Sequence, residues 1–316
     1  MKHIFNTEEF QLHNTVVCLG KFDGIHQGHR LLIRHMLSYQ ESDLHSVVFT
    51  FALHPSTLFS KREAKLIDSM PEKVEKLEKL GVDTLISYPF TMETAGMPAE
   101  TFIKEVLVKK LDAKVIVVGK DFHFGYQRKG NVSLLKKYEK QYGYKVVAID
   151  KLAEEQKVVS STRIRAEIRN GNMEKVTKLL GTPYAVTGEV VHGKQLGRTI
   201  GMPTINQEVP ENKILPPNGV YVSRVYLEDG VYGGITNVGM KPTVSGEKKI
   251  GVETYIFSFT GDLYGKNVKT ELLHYVRGEQ KFPSLDALKE QMHRDRVLGE
   301  KYYETLEPEK EKGLQS

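Results

Sequence analysis

The sequence predicts an α/β domain built on a parallel sheet, residues 1–183, followed by an all-β domain, residues 184–316. Two observations predict it. Over the first 150 residues, apolar β-rich runs alternate with helical periods, the pattern of right-handed βαβ units. After Thr182-Pro183 the β-rich runs become short and closely spaced, with Gly, Pro and Asn clusters between them. That texture suits an antiparallel barrel or sandwich. A length of 316 residues leaves room for two domains of ordinary size.

The elements follow in order. Thr15 to Gly20 is a β-rich run, and Gly28 to Tyr39 places Leu31, Leu32, His35, Met36 and Tyr39 on one helical face. Ser46 to Phe51 is a second strand. Pro71 to Leu80 is a helix, with Pro in its first turn and Gly81 as its stop. Asp83 to Ser87 is a strand and Pro98 to Leu111 a helix. Lys114 to Gly119 is apolar on both faces, as in a sheet covered on both sides. A helix over Val132 to Tyr142 precedes a strand over Lys145 to Ile149, and two short helices, Thr162 to Arg169 and Met173 to Leu180, end at glycines or Asn-Gly. Strands at 184–191, 219–227, 231–238, 251–259 and 267–276 and a helix from Ser284 to Tyr303 make up the remainder, and 305–316 reads as a frayed tail.

Composition narrows the function classes. Hydrophobic residues are 40% and charged residues 27%, an ordinary globular balance. No apolar run reaches the roughly 20 residues a membrane helix needs, and no secretory signal follows Met1. Cys18 is the single cysteine, so no intramolecular disulfide or cysteine zinc site can form, and a reducing, cytoplasmic setting is expected. Cys18 itself is expected to be buried and inert. Net charge is +5; residues 1–183 carry 28 basic and 22 acidic side chains, a balance of +6, and 184–316 carry 17 and 18, a balance of −1. That excess suits an anionic ligand on the first domain and is too small to require nucleic acid.

The most informative string is Gly20-Lys21-Phe22-Asp23-Gly24-Ile25-His26-Gln27-Gly28-His29, between the first strand and the first helix. Carboxyl ends of parallel strands are where open α/β sheets bind ligands. Gly28 permits close backbone approach, the helix N-terminus offers free N–H groups to an anion, and His26 and His29 supply hydrogen bonds, and positive charge when protonated, to a phosphorane-like transition state. A surface turn or half of a metal site would use the same residues. A second string, Ser160-Ser161-Thr162-Arg163-Ile164-Arg165, opens a helix. Its hydroxyls suit either an N-cap or a phosphate, and Arg165 suits a further phosphate oxygen.

His26-Gln27-Gly28-His29 together with Ser161, Thr162 and Arg165 resembles the nucleotidylyltransferase superfamily. With Gly119-Lys120-Asp121-Phe122-His123-Phe124-Gly125 the first domain resembles the FMN adenylyltransferase module of bacterial bifunctional FAD synthases. The resemblance implies a Rossmann-like sheet, catalytic His26 and His29, and an ATP and phosphate site from Gly20, Phe22, Asp23, Gly28, His54, Ser161, Thr162 and Arg165. It implies flavin contacts from Asp121, Phe122 and Phe124; either phenylalanine could equally serve the core. Leu53 stands before His54-Pro55 where that family usually has proline.

In the second domain, Gly193 to Asn206 carries three glycines and a proline around Thr204 and Asn206, whose side chains share a face if the segment is extended. Two neutral oxygen ligands of this kind suit Mg²⁺ with nucleotide phosphates. Glu253, in a β-rich run, is either an exposed strand residue or, beside an alcohol, a general base. Gly234 to Gly239 has P-loop glycine spacing, but Met240 stands where lysine is required, which excludes a Walker motif. Gly-Arg-Thr-Ile-Gly-x-Pro-Thr-x-Asn, Asn237-Val238-Gly239-x-x-Pro242-Thr243, Glu253 and Leu263-Tyr264-Gly265 resemble the riboflavin kinase module of the same enzymes. This implies a six-stranded antiparallel barrel with a C-terminal helix, ATP contacts from Gly193, Gly197, Arg198 and Thr199, Mg²⁺ at Thr204 and Asn206, and Glu253 as base. Met202 and Ile205 replace the usual Phe and Ala.

The expected substrates are riboflavin, FMN and ATP, with no membrane or nucleic-acid partner. The alternatives are adenylylation of a different phosphate acceptor and a non-enzymatic flavin- or RNA-binding regulator. Arg277 is either a nucleotide contact or an ordinary strand-end charge.

Overall fold

The computed structural model describes residues 1–40, 43–53, 65–193, 196–199, 201–242 and 248–306. The chain forms two compact units, Met1–Ser161 and Thr162–Ser316.

The first unit is an open α/β layer structure. Strands β1 (Lys2–Phe5), β2 (Thr15–Leu19), β3 (His45–Phe51), β4 (Thr84–Tyr88), β5 (Ala113–Gly119) and β8 (Lys145–Ile149) form one parallel sheet in the order β1-β4-β3-β2-β5-β8. Alternation along each strand sends side chains to two cores. Val17, Leu19, Val47, Phe49, Ile116 and Val118 pack with Ile103, Val106 and Leu107 on one face. Val16, Cys18, Val48, Val115 and Val117 pack with Ile33, Met36 and Leu77 on the other. Each face is thus covered by helices, which explains the unbroken apolar runs of the inner strands. Cys18 is fully buried, and that burial pushes its thiol far above the ordinary range.

Several boundaries depart from the periodicity. The edge strand β1 is four residues with only Ile4 buried, too little apolar pattern to read. The helix expected over 98–111 starts as α-helix at Ala99 and continues as π-helix over Phe102–Lys110. The helix expected over 132–142 breaks at Tyr138 into Val132–Lys137 and Glu139–Tyr142. Two short strands, β6 (His123–Phe124) and β7 (Gly130–Asn131), pair beyond the end of β5, and a small hairpin, β9 (Ala153–Glu154) and β10 (Lys157–Val158), follows β8.

The second unit holds a closed antiparallel barrel. Its strands are β11 (Tyr184–Val191), β12 (Thr204–Glu208), β13 (Gly219–Leu227), β14 (Gly230–Pro242), β15 (Lys248–Ile256) and β16 (Asn267–Gly278), joined in the order β11-β12-β15-β14-β13-β16. Several buried polar groups of the barrel pair with one another: the Thr236 hydroxyl lies 2.8 Å from Ser223 and 2.9 Å from Thr254, and Thr270 donates to Gln207 at 2.8 Å. The long helix Leu285–Leu306 packs on β13 and β14. Arg277 at the end of β16 anchors it, donating to Asp295 through Nε at 3.0 Å and Nη2 at 2.6 Å. The strand-end charge is therefore spent on the helix.

By packing, the second unit begins at Thr162, ahead of the change in texture at 183. The reason is the helix Met173–Leu180, which buries Met173, Val176, Leu179 and Leu180 and lies against β11 and β16. Its Glu174 meets His274 of β16 at 2.5 Å, and the His274 ring stacks on Tyr302 at 4.7 Å. Sequence gave His274 no role.

Candidate active sites

In the first unit, β3 and β5 flank β2 on opposite sides, so the chain reverses its direction of winding there. The carboxyl end of β2 is a topological switch point, the crevice where such sheets take ligands. The turn Gly20–Gly28 starts from this end, and Asp121 follows two residues after the neighbouring β5.

The turn is tightly held. Phe22 is fully buried at φ 47°, a left-handed conformation that costs a bulky residue of order 1–3 kcal/mol. Gly24 has φ 65°, and a Cβ there would come within 2.8 Å of Ile67. The returning segment bonds to the turn twice: Ile67 N–H donates to Asp23 at 2.8 Å, and Ile25 N–H donates to Asp68 at 3.0 Å. Asp68 is also held by the Lys76 ammonium at 2.6 Å. The Ser161 hydroxyl donates to the Asp23 carbonyl at 2.7 Å.

His26 caps the helix Gln27–Leu37, its Nδ1 accepting from the His29 N–H at 3.2 Å. The His29 Nδ1 lies 2.9 Å from the Gly24 carbonyl. A carbonyl only accepts, so this nitrogen carries the proton. The two rings stack with centroids 3.6 Å apart, and Phe22 stands 5.0 Å from His29. Burial, then the neighbouring His29, pushes His26 down from 6.5 to about 2. Burial pushes His29 down to about 4. Burial thus favours the neutral imidazole at both positions at pH 7. In the neutral pair, His26 presents an Nε2–H donor and His29 an Nε2 lone pair.

Among the other residues predicted for adenylyl transfer, Gly28 leaves room for the His26 ring, 3.2 Å from where a Cβ would sit, and Gly20 does the same for Phe22 at 3.0 Å. Asp121 is exposed and ion-paired to Lys151 at 2.7 Å. Phe122 and Phe124 stack in parallel with centroids 5.6 Å apart. Phe124 is buried in the core while Phe122 is half-buried at its rim. His54 lies outside the described residues; Leu53 before it is exposed. Ser161 starts the helix Ser161–Arg169, in which Thr162 is exposed and Arg165 half-buried.

In the second unit, β12 is extended, so Thr204 and Asn206 do share a face. Register brings Asn206 opposite Glu253 on one side and Asn237 opposite it on the other. Thr204 Oγ1 donates to Glu253 Oε1 at 2.5 Å. Val252, Thr254 and Ile256 are buried while Glu253 is half-buried, so this oxygen cluster lies on the outer wall of the barrel. A Cβ on Gly193 would collide with the Asn206 side chain. Nearby in the chain, Arg198 donates to the Tyr264 hydroxyl at 3.2 Å, and Tyr264 stacks on His192 at 3.8 Å. Gly197 is buried and Thr199 exposed. Among the described residues no cluster of three or more His, Cys, Asp or Glu could hold a metal. Thr204, Asn206 and Glu253 instead offer hard oxygens, the donor class that fits Mg²⁺.

Sequence reading missed Asp68 and Lys73. Both sit around the start of the helix Met70–Lys79, outside every motif the sequence shows. It also gave no role to Asn237, although the motif around it was visible; only strand register places it against Glu253.

The chain matches the family model for FAD synthetase over residues 8–163 and that for riboflavin kinase over 180–303. It is 35% identical to the bifunctional riboflavin kinase/FMN adenylyltransferase of Buchnera aphidicola, covering 96% of this chain and 97% of the relative. The protein of that name from Escherichia coli K12 is 34% identical, with 98% and 99% covered. A Streptococcus pneumoniae crystal structure described as a macrolide-efflux protein aligns with TM-score 0.85 and 34% identity over 94% of this chain and 98% of its own. Among the described residues here, no helix is long and apolar enough to cross a membrane. The two family models, in this order along one polypeptide and with relatives matched end to end, place the chain in the bifunctional riboflavin kinase/FMN adenylyltransferase family.

Proposed function

We propose that the chain makes FAD from riboflavin in two ATP-dependent steps, the adenylyl transfer belonging to residues 1–183 and the phosphorylation to 184–316. Supporting the kinase step is one observation above all: Thr204, Asn206 and Glu253 meet on one outer face of the barrel, with a 2.5 Å hydrogen bond between Thr204 and the carboxylate.

In the kinase step, Glu253 takes the proton of the terminal ribityl hydroxyl, whose oxygen attacks the γ-phosphorus of ATP; ADP leaves. Thr204 and Asn206 would hold Mg²⁺, which supplies charge neutralisation to the phosphates when bound. Gly193, Gly197, Arg198 and Thr199 line the ATP side.

In the adenylyl step, an FMN phosphate oxygen attacks the α-phosphorus of a second ATP and pyrophosphate leaves. No protein nucleophile is required, because such transfers rest on positioning and electrostatics. His26 donates through Nε2–H. His29 becomes a donor when incoming phosphate charge favours its imidazolium, so the neutral resting state is a consequence of burial that the substrate reverses. Gly20, Phe22, Asp23 and Gly28 shape the cradle. On the strength of the motif, His54, Ser161, Thr162 and Arg165 serve phosphate oxygens, and Asp121, Phe122 and Phe124 the flavin. The setting is cytoplasmic.

The test is incubation of the purified chain with riboflavin and Mg-ATP, with flavins separated by chromatography. FMN appears first, then FAD with pyrophosphate. Appearance of neither product overturns the reading.

A further inference from the structure

Lys73 is 8% exposed, which is unusual for a lysine unless it is paired. It lies in the first turn of the helix Met70–Lys79 and reaches the Lys21 carbonyl of the turn that carries the histidines. Its ammonium has three donors. Among the described residues it makes one side-chain hydrogen bond, a long one of 3.4 Å to the Lys21 carbonyl. That carbonyl already accepts from the Thr50 hydroxyl at 2.9 Å.

The carboxylates around it are engaged elsewhere. Asp68 takes the Lys76 ammonium and the Ile25 N–H, and Asp23 takes the Ile67 N–H. Both raise the Lys73 pKa through space, but burial outweighs them and holds it below the ordinary lysine value. The Lys73 charge also reaches His29, which it pushes down. Lys76, on the same helix, satisfies its ammonium on Asp68. Among the described residues Lys73 therefore carries a desolvation cost without an ion pair, with its ammonium toward the Lys21 carbonyl of the histidine turn and within electrostatic reach of His29. A buried cation with unspent donors at the turn that leads into the histidine helix is arranged for an anion.

We propose that Lys73 is a further anion-binding residue of the adenylyl-transfer site, its ammonium taking a phosphate oxygen of ATP or of FMN. The inference rests on the assignment of that site to His26 and His29. An ammonium there is a point charge that follows a phosphate oxygen without demanding a fixed planar geometry.

A tether and an anion ligand respond differently to Lys73→Met, which keeps the apolar stem and removes the charge. If Lys73 only braces the turn, the variant melts earlier. If it awaits a phosphate, the variant melts at the parent temperature or above, because a buried unpaired charge is gone. The experiment measures the thermal midpoint of parent and variant alone, with inorganic pyrophosphate, and with FMN, together with KM for ATP and for FMN in FAD formation. The expected result is an unchanged or higher midpoint without ligand, a smaller upshift with pyrophosphate or with FMN, and FAD formation reduced at least a hundredfold in kcat/KM. The arm that loses its upshift identifies whose phosphate is held. Lys73→Arg restores part of the activity. A lower midpoint without ligand, with ligand upshifts equal to those of the parent, overturns the inference. So does FAD formation within threefold of the parent. His29→Ala run alongside separates the two levels: if it retains FAD formation the site assignment itself fails, whereas loss in His29→Ala with retention in Lys73→Met refutes only the role of Lys73.

Discussion

Replacing Glu253 with Gln tests the kinase site most directly. The amide keeps the size of the carboxyl group and an oxygen that can accept the Thr204 hydroxyl, now 2.5 Å away. Asn206 and Asn237 still flank the position across both strand pairs, so the local shape survives. What goes is the ability to take a proton. A positioned general base contributes about 10²–10⁴-fold, so FMN formation should fall by that factor, or about 2.7–5.4 kcal/mol in barrier height at 1.36 kcal/mol per tenfold. Chromatography of flavins from riboflavin and Mg-ATP reads the loss. Adenylylation of added FMN by the same preparation should stay near the parent rate, because the histidine turn belongs to the other unit. FMN formation within threefold of the parent would refute Glu253 as the base, and loss of both activities in a folded protein would refute the separation of the two sites.

Three further outcomes are expected. Gly193→Ala puts a Cβ into the Asn206 side chain and should abolish most riboflavin phosphorylation while FMN adenylylation persists; kinase activity near the parent level would show that the loop yields freely. Stability should fall as pH drops below 6.5. The folded values of His26 and His29, about 2 and about 4, lie below the ordinary 6.5, so the unfolded chain binds protons first, each histidine costing about 1.4 kcal/mol per pH unit until its folded value is reached. Denaturant titrations of the parent and His29→Asn between pH 7 and 5 should give a shallower slope for the variant, and equal slopes would contradict the burial argument. Asp295→Ala leaves Arg277, 17% exposed, without its carboxylate and should destabilise the second unit by about 3 kcal/mol, seen as an earlier thermal transition; an unchanged midpoint would mean that the pair does not hold the helix Leu285–Leu306.

Much of the architecture was legible because local pattern and burial agree. The inner strands Val16–Leu19 and Val115–Val118 are buried on both faces, and a strand so placed must be apolar throughout. The barrel strands are separated by turn residues at short intervals. What escaped was decided by neighbours. Strand β1 joins β4 with one buried side chain, which no periodicity registers. The helix Met173–Leu180 reads as the end of the first domain, yet its buried face lies on the barrel strands β11 and β16.

The sites divide in the same way. Chain spacing alone joins His26 to His29 and Thr204 to Asn206, since helix and strand periods dictate which near neighbours share a face. Nothing in the spacing reveals that Asn237 opposes Glu253, because that depends on barrel register across 16 residues of chain. Nor does it reveal that the His26 and His29 rings stack at 3.6 Å and are held neutral by burial, or that Lys73 is buried with its ammonium toward the Lys21 carbonyl of their turn. Ring contact and desolvation depend on what surrounds a group in space. The sequence by itself determined which residue types were available at each strand end; only the tertiary structure decided which of them are dry, which are paired, and which are left facing a substrate.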